Sequence, residues 1–461
     1  MSDAAKSTSS PSAPATTGRL STEELRSLVD SGGVDTVLLA FVDMQGRLQG
    51  KQLGAPYFLS DVLDHGAGAC SYLLSVDVEM APQEGLSTSS WETGHGDFQL
   101  IADLATLRFA AWLPRTAICL ADPVWPGGEP VAPSPRQILR RQLERLAERG
   151  WSARAATELE FIVNQESYAD ARERGYHGLT PVSGYNIDYS LLGMRAAGPL
   201  LDRLSAEMPR SGLELESAKG EANLGQLEIN FRHSTPLDAA DGHSVFKQAV
   251  KEIATQEGLS ATFMAKWDER EGNSCHLHFS LADAEGPLFA RDERVFEGFL
   301  AGQLACMREL TLLFAPNINS YKRFAGHSFA PTAIAWGRDN RTCAIRVVGS
   351  GRSLRIEHRA PGGDVNPYLA LAAMIAGGLH GVEEGLEPGP ALLGDAYASP
   401  TLSRLPEELG DALALFRQSE VAAGAFGQDV VDHYARAAEI EIEAHRAAVT
   451  DWERIRGYER L

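Results

Sequence analysis

Cysteine is scarce. The 461 residues hold five (Cys70, Cys119, Cys275, Cys306 and Cys343), an odd, scattered set with no CxxC pair. That excludes a disulfide framework and fits reduced thiols in a cytoplasm. Positive charge is also in deficit: 42 Lys and Arg face 62 Asp and Glu, a formal net charge of −20. Such a surface has no overall positive field to gather phosphates, so neither nucleic acid nor an anionic membrane is an expected partner. The longest apolar run, Tyr368 to Val382, contains Gly377, Gly378 and His380; it is too short to span a bilayer and reads as a buried core helix. Ser2 to Thr17 is Ser, Ala, Thr and Pro with one Asp, one Lys and no apolar block. Residues 1–17 therefore read as a disordered tail rather than a signal peptide. Two nucleotide signatures are missing as well: the GxxxxGK[ST] loop, and the kinase set of Gly-rich loop, HRD and DFG.

What is present is the composition of an acidic, cytoplasmic, globular chain long enough for two domains. Order is expected from Ser21, where Ser-Thr-Glu-Glu forms a capping box ahead of Leu25, Leu28 and Val29. A strand over Val37 to Val42, the turn Asp43-Met44-Gln45-Gly46 and a return strand follow. The Pro/Gly-rich stretch from Asp122 to Pro130 marks a boundary, giving a small mixed domain over 18–132 and a large catalytic-type α+β domain over 133–461. The second opens on a well-punctuated helix: Ser134 as N-cap, Pro135 at the first position, Ile138, Leu139, Leu143 and Leu146 on one face, Gly150 at the end. A strand is predicted over Ala155 to Val163. Helices are predicted over Ser244–Ala254, Arg294–Leu313, Pro367–Val382 and Gln428–Thr450, with short strands around Glu228, His276 and Ile345.

Four segments carry chemistry. In Thr157-Glu158-Leu159-Glu160-Phe161-Ile162 the period of a strand puts both carboxylates on one face. A solvated edge explains an isolated ExE, but the apolar neighbours here imply burial, which is costly for two like charges unless a cation neutralises them. Glu221 and Glu228 flank Gly225-Gln226, with Glu228 entering a strand-like alternation. In Gly272-Asn273-Ser274-Cys275-His276-Leu277-His278, two histidines share a strand face, the pattern of ligands to a metal or a phosphate. From Arg338 to Arg359, 22 residues hold six arginines (Arg338, Arg341, Arg346, Arg352, Arg355, Arg359) against Asp339 and Glu357. A local +4 in so acidic a chain calls for an anionic partner or internal ion pairs, and planar guanidinium forks suit phosphate and carboxylate. Arg323 adds a further cation. Oxygen-rich donors with an occasional imidazole favour Mg²⁺ or Mn²⁺ over Zn²⁺. Metals set between carboxylates and arginines are what phosphoryl transfer needs.

These segments, together with Ala261-Thr262-Phe263-Met264-Ala265-Lys266, Asn319-Ser320-Tyr321-Lys322-Arg323, Asn340-Arg341-Thr342, Arg355-Ile356-Glu357-His358-Arg359 and Asn366-Pro367-Tyr368-Leu369-Ala370, occur in the order seen in glutamine synthetases. Over residues 20–455 the chain resembles the bacterial type I branch. The resemblance implies a β-grasp-like N-terminal domain, a catalytic domain whose antiparallel sheet forms a funnel, and a homo-dodecamer of two hexameric rings with sites between adjacent subunits. It implies that Glu160, Glu221 and Glu228 hold one metal and Glu158, His276 and Glu357 another. His278, Ser280, Arg346 and Arg355 match positions that contact ATP. Gly272, Arg323, Arg341 and Arg359 match those that hold L-glutamate and its γ-phosphate, with Arg341, Glu357 and Arg359 as the catalytic set. The implied chemistry is ATP-driven formation of γ-glutamyl phosphate, then attack by an amine.

Three departures bear on the nucleophile. Ammonium-using members carry a flap glutamate two residues before the Pro that follows the Lys-Arg motif; here Gly326-His327-Ser328-Phe329-Ala330-Pro331 puts Phe329 there. The family's Phe-Asp-Gly-Ser-Ser segment is replaced by the acid-free Ala69-Cys70-Ser71-Tyr72-Leu73-Leu74. Glu271 stands where Asn is usual. Tyr397 lies near the family's adenylylation loop without its Leu-Pro context, so that regulation is not expected. In these features the chain is similar to glutamine synthetase-like γ-glutamyl-amine ligases, which use ethanolamine or polyamines such as putrescine, with Ser328 and Phe329 as the expected selectors of the amine. An ordinary ammonium-using enzyme and a catalytically silent, glutamine synthetase-fold regulator are the competing readings; the second would be expected to have lost metal ligands.

Overall fold

The computed structural model describes residues 18–461; the tail expected over residues 1–17 lies outside the described residues. The capping box at Ser21 forms as the sequence predicts. The Ser21 hydroxyl accepts the Glu24 N–H at 3.1 Å and the Glu24 carboxylate accepts the Ser21 N–H at 2.7 Å, starting α1 (Thr22–Asp30). The β-branched stretch forms β1 (Thr36–Val42), and the chain returns into β2 (Leu48–Gly54). Asp43 makes that turn. Its buried carboxylate accepts the N–H groups of Gln45 at 3.0 Å and Arg47 at 2.8 Å, and the Arg47 guanidinium at 2.7 Å.

Strands β3 (Ala67–Cys70), β4 (Asp97–Ala102), β5 (Arg108–Phe109) and β6 (Thr116–Val124) complete a six-stranded sheet of order β2-β1-β6-β4-β3, with β5 on β6. Only β1 and β6 pair in parallel, and both are largely buried, as parallel strands require. This is the expected β-grasp-like arrangement.

Next comes α2 (Pro135–Ala147). Ser134 holds the cap position, but its buried hydroxyl makes no cap hydrogen bond. The proline fixes the entry geometry, and the serine contributes through its carbonyl, which accepts the Ile138 N–H at 3.0 Å. The second sheet is built from β7 (Ser152–Asn164), β8 (Leu215–Gly220), β9 (Gln226–Phe231), β10 (Ser260–Thr262), β11 (Cys275–Asp283), β12 (Gly286–Pro287), β13 (Trp336–Arg338), β14 (Ile345–Val348) and β15 (Arg355–His358). Their order is β13-β14-β15-β11-β7-β9-β8, with β10 on β7 and β12 on β11. The pairs are antiparallel as expected, except β13 with β14 at the edge, which run parallel across the turn 339–344.

Behind the sheet lie α3 (Pro236–Gln256), which packs on β7 and β10, α4 (Glu293–Phe314) and α5 (Pro367–Glu383), which rests against α2, α3 and α4. The apolar run of the sequence is thus α5, buried almost all round. The last long helix, α6 (Gln428–Ala447), stops short of the predicted Thr450. Ala448 is extended, and Thr450 caps a new short helix, Asp451–Gly457. None of the described helices is long and apolar enough to cross a membrane.

One buried cation ties the first sheet to the helices behind the second. Arg136, at the second position of α2, donates to Asp122 at 2.7 Å, to Asp103 at 2.7 Å and to both oxygens of Asp241 at 3.0 and 2.9 Å. The Tyr368 hydroxyl donates to Asp241 at 2.7 Å, so β6, α2, α3 and α5 share one polar knot.

Candidate active site

Strand register assembles the charged residues. His276 on β11 lies opposite Glu158 on β7, Glu228 on β9 opposite Glu160 on β7, and Lys219 on β8 opposite Glu228. Glu357 on β15 lies opposite His278 on one side and Arg346 of β14 on the other. Directly opposed residues project from the same face of a sheet, so six adjacent strands, β14-β15-β11-β7-β9-β8, raise one field of acids, histidines and cations. It lines a funnel of about 580 Å³.

Two groups of donors stand in this field. Ligand atoms of Glu158, His276 and Glu357 lie within 4.8 Å of one another, and so do those of Glu160, Glu221 and Glu228. In the first group His276 Nδ1 is 3.3 Å from Glu158 Oε2 and 3.6 Å from Glu357 Oε1, while His276 Nε2 is buried without a partner among the described residues. Arg355 Nε donates to His278 Nδ1 at 3.1 Å, which leaves Nε2 to carry the proton it donates to Glu158 Oε1 at 2.7 Å. Burial opposes ionisation of Glu158, but the two histidine contacts prevail and hold its carboxyl far below the usual range. Glu357 is fully buried and is gripped by Arg346 at 2.7 Å and by Arg359.

The second group is not so compensated. Burial pushes Glu160 up, reinforced by Glu228; burial and then Glu160 push Glu221 up. The Glu160 carboxylate accepts the Ser274 N–H at 2.7 Å and Gln226 Nε2 at 3.0 Å. Asn230 donates to Glu228 at 2.7 Å. The local cation is Lys219, which hydrogen-bonds Glu221, lies 3.7 Å from Glu228 and sits over the Tyr189 ring at 4.7 Å. Like charges crowded away from water require a neutralising ion. Three carboxylates, and two carboxylates with an imidazole, are donor sets for hard divalent cations, so the residues fit such metals.

The arginines do not form one comb. Arg341, at the tip of the 339–344 turn, lines the funnel with its guanidinium exposed. Arg346 and Arg359 also line it, but they are paired with Glu357, and Arg346 further with Asp339. Of the residues matched to ATP positions, His278, Ser280 and Arg355 line a neighbouring cavity of about 660 Å³ together with Arg352. The two cavities meet at Glu158, Ser217 and Asn230, which line both. Arg346 belongs to the funnel instead. Of those matched to glutamate positions, Gly272, Arg341 and Arg359 line the funnel, and Arg323 does not. It is 2% exposed and donates to Ala360 O at 2.8 Å, Ser274 Oγ at 2.9 Å and Arg359 O at 3.1 Å, so it braces the backbone that carries Ser274 and Arg359.

At the rim, Phe329 is 62% exposed with φ +58°, beside His327 at φ +59°. Its carbonyl accepts Arg359 Nη2 at 3.3 Å, and Ser328 Oγ donates to Ala325 O at 2.7 Å. The Tyr397 hydroxyl donates to Ala330 O at 2.9 Å and its ring meets His327 at 5.2 Å, which holds this flap from outside. Glu271 lines the funnel, whereas residues 69–74 line neither cavity. Sequence reading missed Lys219 and Tyr189. The only available sign was Lys219 two residues before Glu221.

Residues 132–456 match the family described as glutamine synthetase, catalytic domain. The chain is 54% identical over 446 residues to gamma-glutamylethanolamide synthetase GlnA4 of Streptomyces coelicolor, with 96% of each chain covered. It is 38% identical over 441 residues to a glutamate–isopropylamine ligase of Pseudomonas sp, covering 93% of this chain and 96% of the relative. The solved GmaS/ADP complex has a TM-score of 0.83 to it at 28% identity, covering 94% of this chain and 99% of that one.

Proposed function

Because the chain belongs to the glutamine synthetase family, we propose that it is an ATP-dependent ligase joining the γ-carboxylate of L-glutamate to a small primary amine, through γ-glutamyl phosphate. Ethanolamine is the first candidate, on the strength of the 54% identical relative, with putrescine and other polyamines as further candidates. The observation that carries this reading is Phe329. A neutral, exposed ring stands at the rim of the funnel, where an acid would be needed to attract NH₄⁺ and take its proton. The ring instead offers an apolar wall against the methylenes of a larger amine.

Glu160, Glu221 and Glu228 are assigned to one divalent cation, and Glu158, His276 and Glu357 to a second, with Mg²⁺ or Mn²⁺ as the ions their oxygen-rich donors favour. Such ions, when bound, would neutralise phosphate oxygens and align the attacking γ-carboxylate with the phosphoryl group. The protein's own residues do the rest. His278, Ser280 and Arg355 receive the nucleotide. Arg341, which meets no carboxylate within 4.0 Å among the described residues, takes the transferred phosphoryl or the substrate carboxylate. Arg359, fixed by Glu357 on one side and the Phe329 carbonyl on the other, faces the same substrate and couples the flap to it. The proposed assembly is a cytoplasmic homo-dodecamer of two hexameric rings, each chain divided into units of residues 18–132 and 133–461.

The test is phosphate release from glutamate, ATP and Mg²⁺ across ammonium, methylamine, isopropylamine, ethanolamine, putrescine and spermidine, with mass spectrometry of the product. Turnover with an organic amine well above that with ammonium is expected. Robust ammonium turnover with no organic-amine activity would reject the proposal.

A further inference from the structure

A second cleft, of about 950 Å³, lies between the β1–β2 turn, the segment after β7 from Tyr168 to Leu179, and α3. It shares no lining residue with the funnel or the neighbouring cavity. Its charge is opposite to that of the molecule. Lys247 and Lys251, one turn apart on α3, point their ammonium groups towards the Phe263 ring at 5.2 and 6.0 Å. Among the described residues neither meets a carboxylate within 4.0 Å, Lys247 donates only to Gly363 O at 2.9 Å, and Lys251 Nζ makes no hydrogen bond. Asp364 is the one acid among the described lining residues; its Oδ2 accepts from Asn317 at 2.9 Å and Ser320 at 2.6 Å, while its buried Oδ1 has no partner among the described residues.

Unpaired ammonium groups are uncommon where 62 acids are available to 42 cations. Burial, then the neighbouring Lys251, push the Lys247 ammonium down to about 8, against the opposing pull of Asp364. Two more polar groups stand idle on the same wall. Asn164 and Ser260 are cross-strand neighbours on β7 and β10; both are buried, and Asn164 Oδ1 and Ser260 Oγ have no partner among the described residues. Buried polar atoms are rarely left unpaired unless something else pairs them. Cations call for acid groups, and an amide oxygen calls for a donor.

We propose that this cleft is a binding site for a small organic dicarboxylic acid bearing a hydroxyl or amino group, separate from the catalytic funnel. The carboxylates meet Lys247 and Lys251, the donor group meets Asn164, and Phe263 walls the carbon skeleton. The site is also wired to the funnel. Gly363, held by Lys247, donates its N–H to Asn273 O at 2.9 Å, and Gln226 bridges Asn273 Oδ1 and Glu160, each at 3.0 Å.

Isothermal titration calorimetry of malate and succinate into the full-length protein, at constant ionic strength, tests this. Saturable malate binding is expected, weaker for succinate, which lacks the hydroxyl. Lys251→Gln should weaken malate binding by about tenfold, as the loss of one charge-assisted hydrogen bond does, and Lys251→Arg should retain it. Arg341→Gln, in the funnel, should leave it intact. Absence of saturable binding, or binding lost in Arg341→Gln and kept in Lys251→Gln, would overturn the proposal.

Discussion

Glu160 concentrates the electrostatic cost of the funnel. It is buried, opposes Glu228 across the strand pair, and is pushed towards neutrality by burial first and by that neighbour second. A residue so placed is retained only if a cation repays it. Glu160→Ala should therefore lower ligase activity by at least about 100-fold with an unchanged far-UV circular dichroism spectrum; near-wild-type activity would remove the metal assignment. Phe329→Glu should raise ammonium turnover relative to ethanolamine, read as the ratio of kcat/KM for the two amines, and an unchanged ratio would free this position from any part in selection. The acids and histidines were legible because period two alone puts Glu158 with Glu160 and His276 with His278. Lys219 was not, because one lysine among many charges declares nothing until the register sets it opposite Glu228. Arg323 was legible as a cation but not as a brace, since its carbonyl partners come from residues 359–360, distant in sequence.

Elements differ in how much local pattern they carry. The ends of α2, α4, α5 and α6 lie within a few residues of those expected, because apolar periodicity, caps and flanking Pro or Gly agree; α3 begins at Pro236, ahead of the expected Ser244, because its first two turns are polar and its start is set by the Thr235 cap and Pro236. The parallel β13–β14 pair was invisible, since parallel neighbours ordinarily need a long crossover. Here the turn 339–344 suffices because Asn340 anchors it to the carbonyls of Leu392 and Gly394, at 3.3 and 2.8 Å, far along the chain. That same anchoring presents Arg341 to the funnel. The pairing of α4 with α5 depends on glycine in a way composition does not reveal: a Cβ on Gly302 would strike the Gly377 carbonyl, and one on Gly381 the Gly298 carbonyl. The helices touch along their backbones, behind the sheet that holds the site. Gly302→Ala should thus destabilise the protein by about 1–3 kcal/mol through overpacking, measured as a lower midpoint in urea. A midpoint equal to wild type would show that the helices can part without cost.

The chain closes on itself through its C-terminal helix. His433 of α6 is buried; its Nδ1 accepts the Ser87 N–H at 3.3 Å and its Nε2 lies 3.0 Å from Met44 Sδ, both partners far earlier in the chain. Tyr434 donates to Pro133 O at 2.8 Å and Arg436 to Glu84 O at 3.1 Å, so one face of α6 is fastened to the segments that precede α2. Burial pushes the His433 imidazole down to about 4 and that of His358 to about 3, and holds His243 well below its usual range. These rings are neutral in the fold, whereas in the unfolded chain they take up protons near pH 6.5. Between about pH 6.5 and 4 the unfolded state binds more protons, so stability is present above that window and is lost as pH falls through it. For His433 alone the loss amounts to about 3 kcal/mol at the acid end. Differential scanning calorimetry from pH 7 to 5 should show a falling Tm, and His433→Gln, which cannot take a proton, should flatten the slope while lowering Tm at pH 7 through its poorer packing. A variant whose Tm falls as steeply as wild type would place the acid sensitivity elsewhere than this seam.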